Sequence, residues 1–131
     1  MATTPFYAAI LALLFVALSV RTLRLRHRLR IPVGDGGNQT LLRAMRVHSN
    51  FAEYVPLTLL LIFMLEAAGG PGALVHGFGV CLVVGRLVHA YGVSRTDENY
   101  RFRVFGMALT FIALVGGAVS LIGVYASAAL A

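Results

Sequence analysis

The sequence is poor in charged residues and in cysteine. Only 12% of its 131 residues are charged, and long stretches carry no charge at all. The single cysteine, Cys81, excludes an intramolecular disulfide and leaves the redox compartment undetermined. Lysine is absent, so all eleven basic residues are arginine. With so little charge, the surface of an ordinary soluble domain cannot be covered by polar groups.

What the sequence has instead is apolar residues in long blocks. The hydrophobic share is 59% and the mean hydropathy is +0.83, well above the values of a soluble domain. Lipid must therefore cover part of the apolar surface of the folded chain. The blocks predict an all-α integral membrane protein, a four-helix bundle in a single domain over residues 1–131. The predicted spans are residues 5–22, 40–68, 72–93 and 103–129.

The net charge of +6 does not indicate a nucleic-acid partner, because the positive charge is not spread over one face. Five arginines lie between Arg21 and Arg30, directly after the first apolar block. Such clusters are topology determinants or contacts with anionic membrane lipid. They place the connections over residues 21–46 and 86–103 in the cytoplasm and both termini in the periplasm. Because the charge follows the first apolar block, we expect a retained helix and not a cleaved signal peptide.

Four polar residues share one face of the predicted second helix. At about 100° per residue, Asn50 lies ~40° and Glu53 ~20° from Arg46, on opposite sides, and Arg43 joins the Asn50 side. A carboxylate this far inside an apolar helix is costly, so Glu53 should face protein or a water-filled cavity, with Arg46 as its partner. Two interpretations stay open. The stripe is an ion pair that fixes helix packing, or it binds a zwitterionic ligand rich in carboxylates.

The run Arg46-Val-His-Ser-Asn50-Phe-Ala-Glu53-Tyr54-Val-Pro56 resembles the R-x-x-x-N-x-x-E-x-x-P signature of the MAPEG family. These are membrane-associated proteins of eicosanoid and glutathione metabolism. The likeness extends to the four spans, the basic first connection and a third helix that ends in Arg86-Leu-Val-His89-Ala-Tyr91. The chain is most similar to the small bacterial inner-membrane members of that family.

The resemblance implies a homotrimer that binds glutathione, as thiol substrate, between neighbouring subunits near the cytoplasmic surface. The implied glutathione contacts are Arg46, Asn50, Glu53, Tyr54 and Tyr91, with Arg26 (or Arg24) reaching in from the adjacent subunit. Arg103, or alternatively Arg101, resembles the arginine that holds the sulfur as thiolate. The thiolate would act on a small lipophilic electrophile or hydroperoxide that arrives from the bilayer.

Two other functions remain in view. Only Tyr91 of the tyrosine pair of the leukotriene-synthase branch is present, with Leu87 at the earlier position, which leaves room for a non-catalytic scaffold or lipid-binding protein. A small proton-coupled exporter would also carry a membrane carboxylate, but Arg46 beside Glu53 would keep that carboxylate ionised. No metal site is predicted, because the histidines lie on different segments without ligand spacing.

Overall fold

In the computed structural model, residues 2–95, 97 and 99–130 are described, and this part of the chain forms four helices and no strand. In chain order they are α1 (Thr4–Leu29), α2 (Gln39–Ala67), α3 (Gly72–Ser94) and α4 (Tyr100–Ala129). Each is long and apolar enough to cross a membrane. The predicted all-α, membrane-spanning bundle is therefore confirmed.

Helix α1 extends beyond its predicted end at residue 22. It continues through the arginine-rich segment to Leu29, so the prediction of a connection there is wrong for residues 23–29. Leucine and arginine are good helix formers, and no proline follows until Pro32. The helix ends at Arg30, whose left-handed backbone (φ 56°) turns its N–H toward the carbonyls of Arg26 and His27. At 1.5 Å per residue, α1 is about 39 Å long and exceeds the hydrocarbon core of a bilayer.

Asparagine side chains set the beginnings of α2 and α4. Asn38 accepts a hydrogen bond from the backbone N–H of Leu41 at 3.0 Å, and Asn99 accepts one from Arg101 at 3.0 Å. Such side chains satisfy N–H groups that have no acceptor inside the helix. Helix α4 consequently begins at Tyr100, three residues before the predicted start of its span, and it includes Arg101 in its first turn.

Helix α2 packs against α1, α3 and α4, whereas α1 and α4 do not meet within the described residues. The closest pair is α3 and α4, and glycine makes their approach possible. A Cβ atom on Gly106 would lie 2.6 Å from the backbone nitrogen of His89 and 2.7 Å from the Gly85 carbonyl oxygen. Gly77, in contrast, is exposed, and a Cβ there would meet no atom within 4 Å.

The end of the bundle that holds the N-terminus of α1 is joined by hydrogen bonds between helices. The Glu66 carboxylate, near the end of α2, accepts the backbone N–H groups of Thr3 and Thr4, the second at 2.9 Å. The Tyr7 hydroxyl lies 3.0 Å from His76 Nδ1 on α3. A carboxylate is well suited to the first turn of a helix, because the N–H groups there are unpaired and the helix dipole is positive.

We predict that Gly106→Ala destabilises the protein by about 1–3 kcal/mol, because the added methyl group collides with the α3 backbone. Thermal unfolding of the detergent-solubilised protein measures the effect. Gly77→Ala is the matched control and should be neutral or slightly stabilising, since alanine is the better helix former. Equal melting temperatures for the two variants would contradict the close α3–α4 contact.

Candidate functional site

The polar stripe of α2 is divided between the surface and the interior. Arg46 and Glu53 are exposed on the protomer, whereas Asn50 and Tyr54 are partly buried against α3 and α4. No ion pair joins Arg46 to Glu53 in the described part of the chain. The predicted pairing of Glu53 with Arg46 is therefore wrong for the protomer, whereas its position facing protein or a water-filled cavity in the membrane stays a prediction. The two charged groups point outward, where a ligand can reach them.

Arg43, at the start of the stripe, serves a different purpose. Its Nη1 donates a hydrogen bond to the carbonyl oxygen of Val93 at 3.3 Å. This contact ties the beginning of α2 to the last turn of α3, where carbonyl groups lack N–H donors inside the helix. We therefore assign Arg43 to the packing of α2 against α3.

A buried arginine holds the inner side of the stripe. Arg86 on α3 is 1% exposed, and its Nη1 donates to the side-chain oxygen of Asn50 at 2.8 Å and more weakly to the Asn50 carbonyl at 3.4 Å. Its Nη2 lies 3.7 Å from the sulfur of Met107 on α4. Because the amide oxygen of Asn50 accepts from Arg86, the amide NH₂ group remains available to donate elsewhere.

Sequence reasoning missed this role of Arg86. By sequence it belongs both to the predicted third span (residues 72–93) and to the start of the cytoplasmic connection over residues 86–103, and in the structure it lies inside α3, eight residues before Ser94. The available signal was a single charge within an apolar helix, since such a residue is costly in a membrane unless protein groups solvate it. That signal predicts a buried partner, and Asn50 is that partner.

Arg103 lines an open groove on α4. The groove has a volume of about 490 Å³ and is formed by Tyr100, Arg103, Val104, Met107, Ala108 and Phe111. The Arg103 guanidinium lies 5.8 Å from the centre of the Tyr100 ring. At the other end, the ring of Tyr54 packs edge-on against Phe111 at 5.5 Å. The groove thus connects the candidate thiol-activating arginine with the stripe on α2.

Arg101 and Tyr91 lie near the beginning of α4 but differ in their surroundings. Arg101 is exposed, about 200° around the helix from Arg103 and away from that groove. Tyr91 is also exposed; its ring packs edge-on against Phe102 at 5.5 Å, and its hydroxyl accepts a hydrogen bond from Arg95 at 2.5 Å.

Arg26 is not brought together with the α4 groove. Its guanidinium donates to the carbonyl of Gly34 at 2.8 Å and to those of Ile31 and Pro32 at 3.3 Å, which holds the connection after α1. Its Nη2 lies 3.3 Å from the sulfur of Met45, the residue before Arg46. Within one protomer, Arg26 therefore lies at the α1 edge of α2, away from α4. Within the described ranges, no three His, Cys, Asp or Glu side chains are grouped so as to hold a metal ion.

Comparison with known proteins identifies the family. The family model described as "MAPEG family" matches residues 4–123. The chain belongs to the MAPEG family. It is also 38% identical over 112 residues to the inner membrane protein YecN of Escherichia coli K12, which covers 86% of this chain and 84% of that protein. The YecN sequence of E. coli O6:H1 gives the same values.

Membership in the MAPEG family confirms the resemblance predicted from the α2 signature. The structure adds the different placement of the signature residues: Arg46 and Glu53 on the surface, Asn50 turned toward Arg86, and Tyr54 beside the α4 groove. In this MAPEG protein one helix face therefore offers a cation and a carboxylate to the outside, with the amide of Asn50 at its inner border.

We predict that Asn50→Ala lowers the stability of the protein by about 1–3 kcal/mol, because a buried guanidinium loses its best acceptor. Asn50→Asp keeps an acceptor and should cost less. Thermal unfolding in detergent tests this, with Ser49→Ala at the adjacent exposed position as control. If Asn50→Ala and Ser49→Ala unfold at the same temperature, Arg86 does not depend on Asn50.

Proposed function

We propose that this protein is a glutathione-dependent transferase or peroxidase of a bacterial inner membrane, acting on lipophilic electrophiles or hydroperoxides. The observation that carries the proposal is the exposure of Arg46 and Glu53 on one face of α2 in a MAPEG protein. The apolar helices and the description of the E. coli relative as an inner membrane protein support the location.

The chemistry of the stripe suits glutathione, which carries two carboxylates and one ammonium group. Arg46 can bind a carboxylate through two parallel hydrogen bonds, and Glu53 can accept from the ammonium group. The Asn50 NH₂ group, turned away from Arg86, can donate to a ligand oxygen. Tyr54 adds a hydroxyl at the border with the α4 groove. An ion pair that only fixes helix packing would not leave both charges exposed.

The sulfur is activated in the α4 groove. Arg103 lies in the first turns of α4, where its cation and the helix dipole both favour a thiolate over a thiol. The thiolate forms a carbon–sulfur bond with an electrophilic carbon while the bond from that carbon to its leaving group breaks. Alternatively it attacks the outer oxygen of a hydroperoxide and breaks the O–O bond, so that the alcohol leaves with a proton from water and the sulfur becomes a sulfenic acid. A second glutathione then reduces the sulfenic acid and yields glutathione disulfide and water. Apolar side chains of the groove, among them Val104 and Phe111, suit a lipophilic substrate. Arg101 is the alternative activating residue.

We propose that the working form is a homotrimer. Glu53 lies about 21 Å along α2 from Gln39, so its exposed carboxylate would meet hydrocarbon unless a neighbouring subunit or water covers it. Arg26 lies beside Met45 at the opposite edge of the protomer from α4, which supports a role for it in a neighbour's site. The arginine-rich ends of the helices then face the cytoplasm and both termini the periplasm.

A non-catalytic scaffold is the second candidate. The observation that favours it is Leu87, which is 49% exposed on α3 where the leukotriene-synthase branch has the first tyrosine of its pair. Such a protein would keep the bundle and bind lipid without activating a thiol.

We predict that Arg46→Gln and Glu53→Gln each weaken glutathione binding about tenfold or more, because each removes a charge-assisted hydrogen bond. Calorimetric titration of the detergent-solubilised protein measures the affinity. Both side chains are exposed, so the melting temperatures should stay close to that of the unmodified protein. Arg30→Gln removes an exposed charge elsewhere and should leave the affinity unchanged. Unaltered binding in both stripe variants would refute this ligand site.

We predict that the protein generates glutathione thiolate near neutral pH, visible as ultraviolet absorbance, and that Arg103→Gln abolishes it. A nearby cation lowers the thiol pKa from about 8.5, so the thiolate is present above the lowered pKa and is lost as pH falls through it. The variant should need a higher pH for the same signal. Arg101→Gln is the control. If the thiolate signal is lost in Arg101→Gln and retained in Arg103→Gln, Arg101 is the residue that activates the thiol. No thiolate in the unmodified protein at millimolar glutathione would favour the scaffold.

A further inference from the structure

The outward face of α1 carries a groove that the proposed glutathione site does not use. Its volume is about 570 Å³, and it is lined by Leu13, Val16, Ala17, Val20, Arg21, Arg24, Leu25 and Arg28. Apolar residues and arginines occupy different halves of the groove. Apolar side chains form the half toward the middle of α1, and arginines form the half toward its C-terminal end.

The arginines of this groove share one face of the helix because they are spaced three and four residues apart. Arg24 and Arg28 are exposed, and neither makes a hydrogen bond to another described residue. Arg21 donates to the Ser94 hydroxyl and is partly buried. Arg26 lies about 200° from Arg24 around the helix, and its guanidinium donates hydrogen bonds to carbonyl groups of the connection after α1. Two cations therefore face outward beside an apolar track.

The depth of the groove matches one leaflet of a bilayer. From Thr4 to Arg24 the helix rises about 30 Å, which equals the thickness of the hydrocarbon core. Arg24 and Arg28 thus lie at the level of lipid headgroups when α1 begins at the opposite interface. From Arg24 back to Leu13 the rise is about 16 Å, or half of that core. The apolar half of the groove therefore runs along the acyl chains of the same leaflet.

We propose that this face of α1 binds an anionic phospholipid, with its phosphate between Arg24 and Arg28 and one acyl chain along the track from Leu13 to Val20. Phosphate oxygens complement two guanidinium groups that have no carboxylate beside them. An anionic headgroup fits better than a zwitterionic one, whose ammonium group would be repelled by the same arginines.

Charge complementarity favours this lipid over a second copy of the chain. Among the described carboxylates, Glu53 lies deep in the span and Glu66 caps the opposite end of α1. Asp35 accepts the N–H of Gly37, and Asp97 forms an ion pair with Arg95 at 3.5 Å. In the part of the chain that the structure describes, a neighbouring subunit in the same orientation thus offers no uncommitted carboxylate at the depth of the arginines.

Native mass spectrometry of the detergent-solubilised protein tests the proposal. Titration with phosphatidylglycerol should give saturable retention of lipid, and phosphatidylcholine should be retained far less. Each arginine contributes about fivefold in affinity, so Arg24→Gln/Arg28→Gln together should weaken phosphatidylglycerol binding roughly 25-fold. Either single variant should weaken it about fivefold, whereas Arg30→Gln, which removes one charge on the same membrane side but off this groove, should change it less than about twofold.

A second variant tests the acyl-chain half without touching the charges. Ala17→Phe fills the groove and should weaken phosphatidylglycerol binding. Glycerol phosphate, which has no acyl chain, is the control ligand, and its binding should be weak in every variant. Binding that survives the double arginine variant would overturn the proposal, as would an equal loss in Arg30→Gln. A cross-linking experiment gives a further test with an Ala17→Cys/Cys81→Ser variant. A disulfide between two copies of this variant would also overturn the proposal, because it would show that this face of α1 contacts a second copy and not lipid.

Discussion

The hydrogen bond between Arg86 and Asn50 constrains the rest of this bundle. A guanidinium that is 1% exposed between apolar helices must be solvated by protein, because neither lipid nor bulk water reaches it. Its acceptor lies on α2 and its second contact, Met107, on α4. Arg86 therefore fixes the rotation of α2 relative to both helices, since a turn of α2 about its axis would leave a buried charge without an acceptor.

That rotation determines which polar groups face outward. With Asn50 directed at α3, the helix period leaves Arg46 and Glu53 on the surface and turns Tyr54 toward Phe111 on α4. The proposed ligand site and the helix packing thus depend on the same side chain. The Asn50 oxygen accepts from Arg86 inside the protein, and its NH₂ group stays available to donate, so the residue can serve both.

Sequence patterns predicted the spans because lipid imposes a minimum apolar length, and they predicted the family because its α2 signature is intact. They did not predict that α1 continues to Leu29, since arginine-rich helix and arginine-rich loop have the same hydropathy. They place Arg86 within the predicted third span but interpret its charge only as a topology signal, so they did not predict its hydrogen bond to Asn50. The pairing of Glu53 with Arg46 was inferred from spacing along α2, which carries no information on the neighbouring helices.

The carboxylate of Glu66 has a consequence for how the outer ends of α1 and α2 are joined. It caps backbone N–H groups at Thr3 and Thr4, more than sixty residues earlier in the chain. The cap is therefore a long-range contact that forms only when the far end of α2 lies beside the N-terminus of α1, and until then water has to satisfy these N–H groups. The contact links the beginning of the first helix to the end of the second, so the outer ends of the α1–α2 hairpin are held together by the chain's own carboxylate.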